Sequence, residues 1–381
     1  MLFRSLEEKG TPISVLAVAD ALGRDISEIG GIEYLHALWG RPATAANIVH
    51  HANLIRRQRQ RRDLIRLGGE AVRVARDGVD DLPGAVDRLV DELLATVYDP
   101  SSGQMLSLRD ELGPAFKASE DASRDGSEAC GLRTGFSELN AIIGGLKPGN
   151  LILLAARPGM GKSAAAMNIA WAVLNSSDRA VLVFSLEMSA RELVYRVVAA
   201  DGDLDAQRLM RGRLTKEEWM RFAHTCSATS PRAERLRILD QGHLTPAILH
   251  SHLRRESRRA KIGLVVIDYL QLMASGQRRE NQNTEVSAIS RNLKILARDF
   301  QVPILALSQL NRAIENRQGQ MPRLADLRDS GSLEQDADIV IFIHRDDASE
   351  TAKFIVAKQR NGPKGTIELK WSAKSVRFSN A

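Results

Sequence analysis

Cysteine is nearly missing from this 381-residue chain, which has two, Cys130 and Cys226. Two thiols exclude a disulfide framework and any four-cysteine zinc site. Aromatic residues are scarce too, at 4% of the sequence. That argues against the base-stacking platforms of RRM and OB domains, so a nucleic-acid partner would be held mainly through its phosphates. No run of about 18 apolar residues occurs, which excludes a helical membrane span. The N-terminal MLFRSLEEKG mixes both charge signs and has no apolar core. It does not read as a signal peptide, and the expected compartment is the cytoplasm.

The rest of the composition is that of a globular protein, 44% hydrophobic and 26% charged, long enough for two to three domains of about 150 residues. The net charge of +6 hides an asymmetry. Residues 1–128 carry 16 Lys+Arg against 21 Asp+Glu, a net of −5, whereas residues 129–381 carry 37 against 26, a net of +11. A polyanionic partner is therefore expected on the second part.

The first part reads as helical. Leu16, Val18, Ala19 and Leu22 space like one helix face. A long helix or a pair of helices is expected from Asn47 to about Arg76, with Gly68-Gly69 as a possible break. A second helix over Leu82 to Val97 follows a turn signal near Gly78, giving an antiparallel hairpin. The basic tract Arg56 to Arg62 sits in this helical, acidic setting and reads as a solvated or subunit-pairing face. Breakers at Asp99 to Gly103 and the polar stretch Glu120 to Glu128 mark residues 99–130 as a linker. A short helix is expected within Ser107 to Ser119, either starting at Pro114 or kinked there. The expected domains are residues 1–98, the linker 99–130, and a motor over 131–381.

From about Asn150 apolar strands alternate with helices. Leu151 to Ala155, Ala180 to Phe184, Leu264 to Ile267, Ile304 to Leu307 and Ile339 to Ile343 are continuous apolar runs, as in strands buried on both faces of a parallel sheet. Phe354 to Ala357 and Thr366 to Trp371 flank Asn361 to Gly365 and read as an antiparallel hairpin. The expected fold is α/β, a mostly parallel sheet preceded by a small all-α domain.

The strongest chemical signal is Ala156-Arg157-Pro158-Gly159-Met160-Gly161-Lys162-Ser163, between the first apolar run and a helical pattern over Ala164 to Leu174. A loop in that context aims backbone N–H groups and a helix N-terminus at phosphate oxygens. Lys162 would reach the β/γ-phosphates and Ser163 would ligate magnesium. Asp268, closing the run Leu264 to Ile267, fits the carboxylate of the magnesium shell. Tyr269 follows it rather than Glu, so a water-activating carboxylate must come from elsewhere. Glu187 is the candidate, a solvated helix-capping acid being the alternative. Gln309, past Ile304 to Leu307, is either a γ-phosphate sensor or a surface amide. Alternation puts Lys358 and Arg360 on one side of a strand end, where both could meet one anion or stay solvated. Two segments could touch nucleic acid, Gly276 to Asn281 and Arg323 to Gly331. His250 and His252, two apart, do not form a helical metal pair.

Taken in order, GLRTGF at 131–136, ARPGMGKS, FSLEMS, VIDYLQLM, ALSQLNR, LRDSGSLEQDAD at 327–338 and AKQRNGPKG at 357–365 resemble the DnaB-type replicative DNA helicases over essentially the whole chain. Even Ala156 at the head of the loop matches that family's form. The resemblance implies a RecA-like P-loop motor that assembles into a homo-hexameric ring around single-stranded DNA, with ATP and Mg2+ between neighbouring subunits. It assigns Arg157, Pro158, Gly159, Met160, Gly161, Lys162 and Ser163 to ATP, Ser163 and Asp268 to magnesium, and Glu187 to the attacking water. Gln309 resembles the γ-phosphate sensor, and Lys358 and Arg360 the pair inserted into the neighbour's site. Arg328, Asp329 and Gly331 resemble the loop that grips DNA. It further implies 5′ to 3′ translocation, with a primase and a helicase loader as partners. The likeness enters at LFRSLEEKGTPI, so a shortened N-terminal collar domain is expected. A strand-exchange ATPase and an assembly-only form that does not unwind are the alternatives.

Overall fold

The computed structural model describes residues 15–26, 30–39, 48–77, 82–97, 107–124, 131–273, 282–311, 321–327, 331–346 and 349–381. The chain divides into two compact units, Met1–Leu82 with Glu92–Ser102, and Pro83–Asp91 with Gly103–Ala381.

The first unit is helical: α1 (Val15–Leu22), α2 (Gly31–Trp39), α3 (Ile48–Asp77) and the end of α4 (Leu82–Val97). Val15 and Val18, three apart on α1, are buried. Helix α3 runs 30 residues without a break, although Gly68 and Gly69 each cost about 1 kcal/mol against alanine in a helix interior. It is one helix rather than two. Ion pairs at i,i+4, Arg59 with Asp63 and Arg66 with Glu70, lie along it, and Leu67 is fully buried. Arg66 also pairs with Glu92 at 2.9 Å, and the Gln60 amide donates to Thr96 O at 3.3 Å. Those contacts run in opposite senses along the two helices, the pattern of the expected hairpin. The turn signal at Gly78 lies outside the described residues. Arg57, Arg59, Arg61 and Arg62 of the basic tract are exposed.

The second unit takes in Pro83–Asp91 of α4 and continues with α5 (Leu108–Arg124), which contains Pro114. The helix does not start at Pro114. Ser107 and Asp110 begin it well before the proline, at Leu108: Ser107 N and Oγ donate to Asp110 Oδ2 at 3.0 and 2.6 Å, and Asp110 N donates back to Ser107 Oγ at 3.3 Å. That reciprocal cap satisfies first-turn amides that would otherwise lack acceptors.

The rest of the second unit is built on a nine-stranded sheet in the order β3-β2-β4-β5-β1-β6-β7-β8-β9. Strands β1 (Leu151–Ala156), β2 (Ala180–Ser185), β3 (Leu236–Asp240), β4 (Ile262–Asp268), β5 (Ile304–Gln309) and β6 (Ile339–His344) are parallel. Strands β7 (Thr351–Gln359), β8 (Gly365–Ser372) and β9 (Arg377–Asn380) extend the sheet antiparallel, with the β7–β8 hairpin where the sequence placed it. The apolar runs are continuous because both faces are covered. Within β1, Ile152, Leu154 and Ala156 join one core with Leu139 and Ile169, while Leu151, Leu153 and Ala155 join the other with Leu253 and Leu293. Strand β1 lies between β5 and β6, in the middle of the sheet, so what it carries at its two ends is held from both sides. Helices α6 (Ser137–Ile143), α7 (Lys162–Ser176), α8 (Ala190–Asp201), α9 (Ala206–Met210), α10 (Lys216–Ala233), α11 (Pro246–Ser257), α12 (Gln282–Asp299) and α13 (Gly331–Asp336) complete the unit.

Candidate active site

At the carboxyl end of β1 the chain leaves the sheet at Ala156 and re-enters regular structure at Lys162. Gly159 (φ +80°) and Gly161 (φ +89°) take positive φ, which L side chains avoid. Gly161 is also the N-cap of α7, and no side chain caps that helix. Its first-turn amides and positive dipole end are thus left for an anion. Space restricts the position further. A Cβ on Gly161 would lie 2.8 Å from Cζ of Phe378 and 3.4 Å from the Trp371 ring.

Lys162 stands 4.0 Å from Asp268 Oδ1 and 4.5 Å from the centre of the Tyr269 ring. Burial holds its pKa below the ordinary lysine value, with Asp268 and then Glu187 acting the other way. Asp268 ends β4 at 2% exposure, and neither of its carboxylate oxygens receives a hydrogen bond. A buried carboxylate whose oxygens accept no hydrogen bond is costly, and it is the kind of oxygen ligand a hard divalent cation takes. The Ser163 hydroxyl, in the first turn of α7, supplies the same chemistry.

Glu187 is exposed in the loop after β2. Ser185 Oγ donates to Met188 O at 2.6 Å and accepts from Met188 N at 3.1 Å, shaping that loop. Leu186 N, donating to Asp268 O at 2.7 Å, fastens it to the end of β4. Burial, then Glu187 and Asp268, push the Tyr269 hydroxyl up from its ordinary pKa. Glu187 and Asp268 therefore share one neighbourhood with Lys162. Gln309 ends β5 in register with Ala156, and Leu310 N donates to Ala156 O at 3.2 Å. The Gln271 amide sits beneath, donating to Ser308 Oγ at 2.9 Å. Lys162, Ser163, Asp268, Glu187 and Gln309 are thus gathered at the carboxyl edge of the sheet.

Lys358 and Arg360 are at the other edge. Gln359 pairs with Ile339 in the antiparallel β6–β7 ladder, and Ile339 pairs with Ile152 at the start of β1. The five steps from Leu151 to Ala156 span about 17 Å of strand. A bulge between Val340 and Ile341 shifts the β6–β7 register, and Arg360 lies beyond the end of β7. The two cations have different partners. Lys358 Nζ donates to the carbonyls of Glu334, Gln335 and Ala337 at the end of α13, and burial lowers its pKa. The Arg360 side chain is 64% exposed, 3.8 Å from Asp338.

Of the loop assigned to DNA, Arg328 and Asp329 lie outside the described residues, as does the Gly276 to Asn281 segment. Gly331 is the first residue of α13. The segment before it is anchored near Gln309: Leu327 bridges Leu310, and Asn311 N donates to Asp326 O at 2.9 Å. Reading the sequence missed Tyr269, Gln271 and the Arg345–Trp371 pair, whose guanidinium lies 5.5 Å from the ring centre. The isolated aromatic in the hairpin strand Lys370-Trp371-Ser372 is the signal that could have marked that pair.

The DnaB-like helicase C-terminal domain matches residues 131–380, and the DnaB-like helicase N-terminal domain matches residues 2–57. The replicative DNA helicase DnaB of Geobacillus stearothermophilus is 38% identical over 98% of this chain and 84% of its own. The replicative DNA helicase DnaC of Bacillus subtilis gives the same identity and coverage. Among solved structures, the ATPase domain of G40P aligns with a TM-score of 0.67 at 33% identity, over 73% of this chain and all of its own. A DnaB-like replicative helicase solved for its interactions with primase aligns with a TM-score of 0.72 at 30% identity, over 99% and 90%. These matches choose the helicase family over the strand-exchange ATPases. The chain belongs to the DnaB-like replicative DNA helicases, ATP-dependent enzymes with a RecA-like P-loop motor.

Proposed function

We propose that the chain works as a homo-hexameric ring that moves 5′ to 3′ on single-stranded DNA, each ATP bound by one motor and completed by the next. The observation that carries this is the separation of the two groups of functional side chains. The P-loop, Lys162 and the buried carboxylate of Asp268 lie at the carboxyl edge of the sheet. Arg360 lies exposed at the amino edge, too far along β1 to reach its own subunit's nucleotide. An arginine finger supplied in trans fits that layout and is worth about 10³–10⁵ in rate.

In this reading the backbone of Arg157 to Gly161 cradles phosphates, and Lys162 meets the β/γ-phosphates. Ser163 and Asp268 would hold a magnesium ion, which when bound neutralises phosphate charge. Glu187 orients and deprotonates the attacking water, and Gln309 reads the γ-phosphate by hydrogen bonding. Trp371 with Arg345 offers the base a stacking surface beside Gly161. Lys358 serves the neighbour's site beside Arg360. Arg328, Asp329 and Gly331 contact the DNA backbone, and the Leu327–Leu310 bridge links that loop to Gln309. Helix α5 supports assembly: Leu108, Leu112 and Phe116, four apart, are 78, 58 and 73% exposed, a single apolar stripe suited to a neighbouring subunit. Residues 1–98 act as the collar, 99–130 as the linker and 131–381 as the motor, with a primase and a loader as partners, in the cytoplasm. Among the described residues no helix is long and apolar enough to cross a membrane.

The test is complementation. Lys162→Ala and Arg360→Ala should each abolish DNA-stimulated ATPase alone. Mixed, they should recover part of it, because Lys162→Ala subunits lend their arginine to intact P-loops. No recovery at any ratio rejects the shared site.

A further inference from the structure

Asp338 stands between the strand that carries the P-loop and the exposed Arg360. It precedes β6 directly and is 7% exposed. Its main-chain N donates to Leu151 O, and its carbonyl accepts from Arg360 N, both at 2.9 Å. Its Oδ2 accepts from Leu151 N at 2.8 Å and from Lys294 Nζ at 2.5 Å. Lys294 also donates to Gly149 O at 2.8 Å, so α12 is pinned to the start of the same strand. The remaining oxygen, Oδ1, faces Arg360 Nη1 at 3.8 Å.

The two ion pairs differ in kind. A buried carboxylate must be matched by charge and hydrogen bonds or it destabilises the fold. Lys294 and the Leu151 amide meet that need on one oxygen, with no call on Arg360. The contact to Arg360 is longer than a hydrogen bond, and the guanidinium remains mostly in solvent. Its backbone is fixed and its direction biased, while its charge stays available to another group. A trans-acting cation needs that combination, since positioning before reaction is the source of its effect. A tight bidentate pair with Asp338 would hold it back.

We propose that Asp338 is the positioning residue for Arg360. It ties the finger's main chain to the first residue of β1 and aims the guanidinium outward, while Lys294 keeps the acid from capturing it. The proposal rests on the reading of Arg360 as acting in trans.

The experiment places Asp338→Asn on one side of the shared site at a time. The asparagine oxygen can still accept from Leu151 N. In the first mixture, Arg360→Ala subunits are combined with Lys162→Ala/Asp338→Asn subunits, so every working site depends on an arginine beside the altered residue. In the second, Arg360→Ala/Asp338→Asn subunits are combined with Lys162→Ala subunits, so the altered residue lies only beneath the working P-loop. With ATP and a single-stranded oligonucleotide, the first mixture should lose about tenfold or more of the recovered kcat, the second about twofold at most. Repeating both with Asp338→Asn/Lys294→Met, which leaves no buried charge unpaired, should give the same asymmetry. Equal loss in both mixtures, loss confined to the second, or none in either overturns the proposal. If the mixture without any change at Asp338 shows no recovery, the shared-site reading fails instead.

Discussion

Replacing Gly161 by alanine tests the shape of the P-loop directly. The residue sits at φ +89°, and an L residue in the left-handed region costs roughly 1–2 kcal/mol. The added methyl meets Cζ and Cε2 of Phe378 at 2.8 and 3.0 Å. That ring cannot swing clear: it is 2% exposed and packed 5.1 Å from Phe354 and 4.4 Å from Trp371, centre to centre. Overpacking of this kind costs roughly 1–3 kcal/mol. The sum, roughly 2–5 kcal/mol, corresponds to a Tm lower by roughly 4–20 °C for a domain of this size. A double-mutant cycle with Phe378→Leu separates the two parts. Leucine withdraws the ring atoms that collide, so the double variant should be roughly 1–3 kcal/mol better than the sum of the singles. The backbone part should persist, and nucleotide binding should stay weak in the double variant. Thermal unfolding of the four proteins with a fluorescent-nucleotide titration measures all of this. Additivity of the two substitutions would refute the contact. A Gly161→Ala protein as stable as its parent would refute the positive φ as well.

Two further outcomes follow from the same neighbourhood. Asp268→Asn removes the ion-pair partner of the buried Lys162, so the nucleotide-free protein should lose stability, by roughly 1–3 kcal/mol. The stabilisation gained on adding Mg2+ and ATP should disappear, and an undiminished gain would count against the assignment. The second concerns pH. Burial holds the Lys162 pKa below its unfolded value, so between those two values the native state binds fewer protons than the unfolded chain and stability rises with pH. Nucleotide phosphates favour the charged lysine, so ATP affinity should fall as pH climbs through the lowered value, with proton uptake on binding. Calorimetry in buffers of different ionisation enthalpy detects that uptake, and Lys162→Arg should abolish it because arginine stays charged.

The sheet was legible because strands covered on both faces become unbroken apolar runs, and the P-loop because its glycines and lysine are contiguous. Strand β3, Leu236–Asp240, lies at the sheet edge and is only half-buried, so it leaves no such run. Strand β9, Arg377–Asn380, contributes one buried side chain, Phe378, too little for a periodic signal. Pro114 read as a helix start or a kink because its own effect is local, whereas the Ser107–Asp110 cap that starts the helix earlier lies outside the tripeptide around the proline. Lys358 and Arg360 looked equivalent by alternation, yet the bulge and the end of β7 give them separate partners. Asp338 stood inside a quoted motif, but the groups that define it, Leu151 N and Lys294, lie 187 and 44 residues away in sequence. Contacts of that span leave no trace in local pattern.

Strand β1 has a mechanical consequence. Its first residue is gripped by Asp338, its last carbonyl by Leu310 N, and hydrogen-bonded strands flank it on both sides. A segment held in that way can be neither stretched nor compressed appreciably, because any strain would have to break ladder bonds in two neighbours together. Displacement at the phosphate end therefore arrives undiminished at the arginine end, and the motor moves as a stiff lever. The compliance that stepping along a strand of DNA requires then belongs to the joints between levers, which is where stiffening cross-links should stall the enzyme.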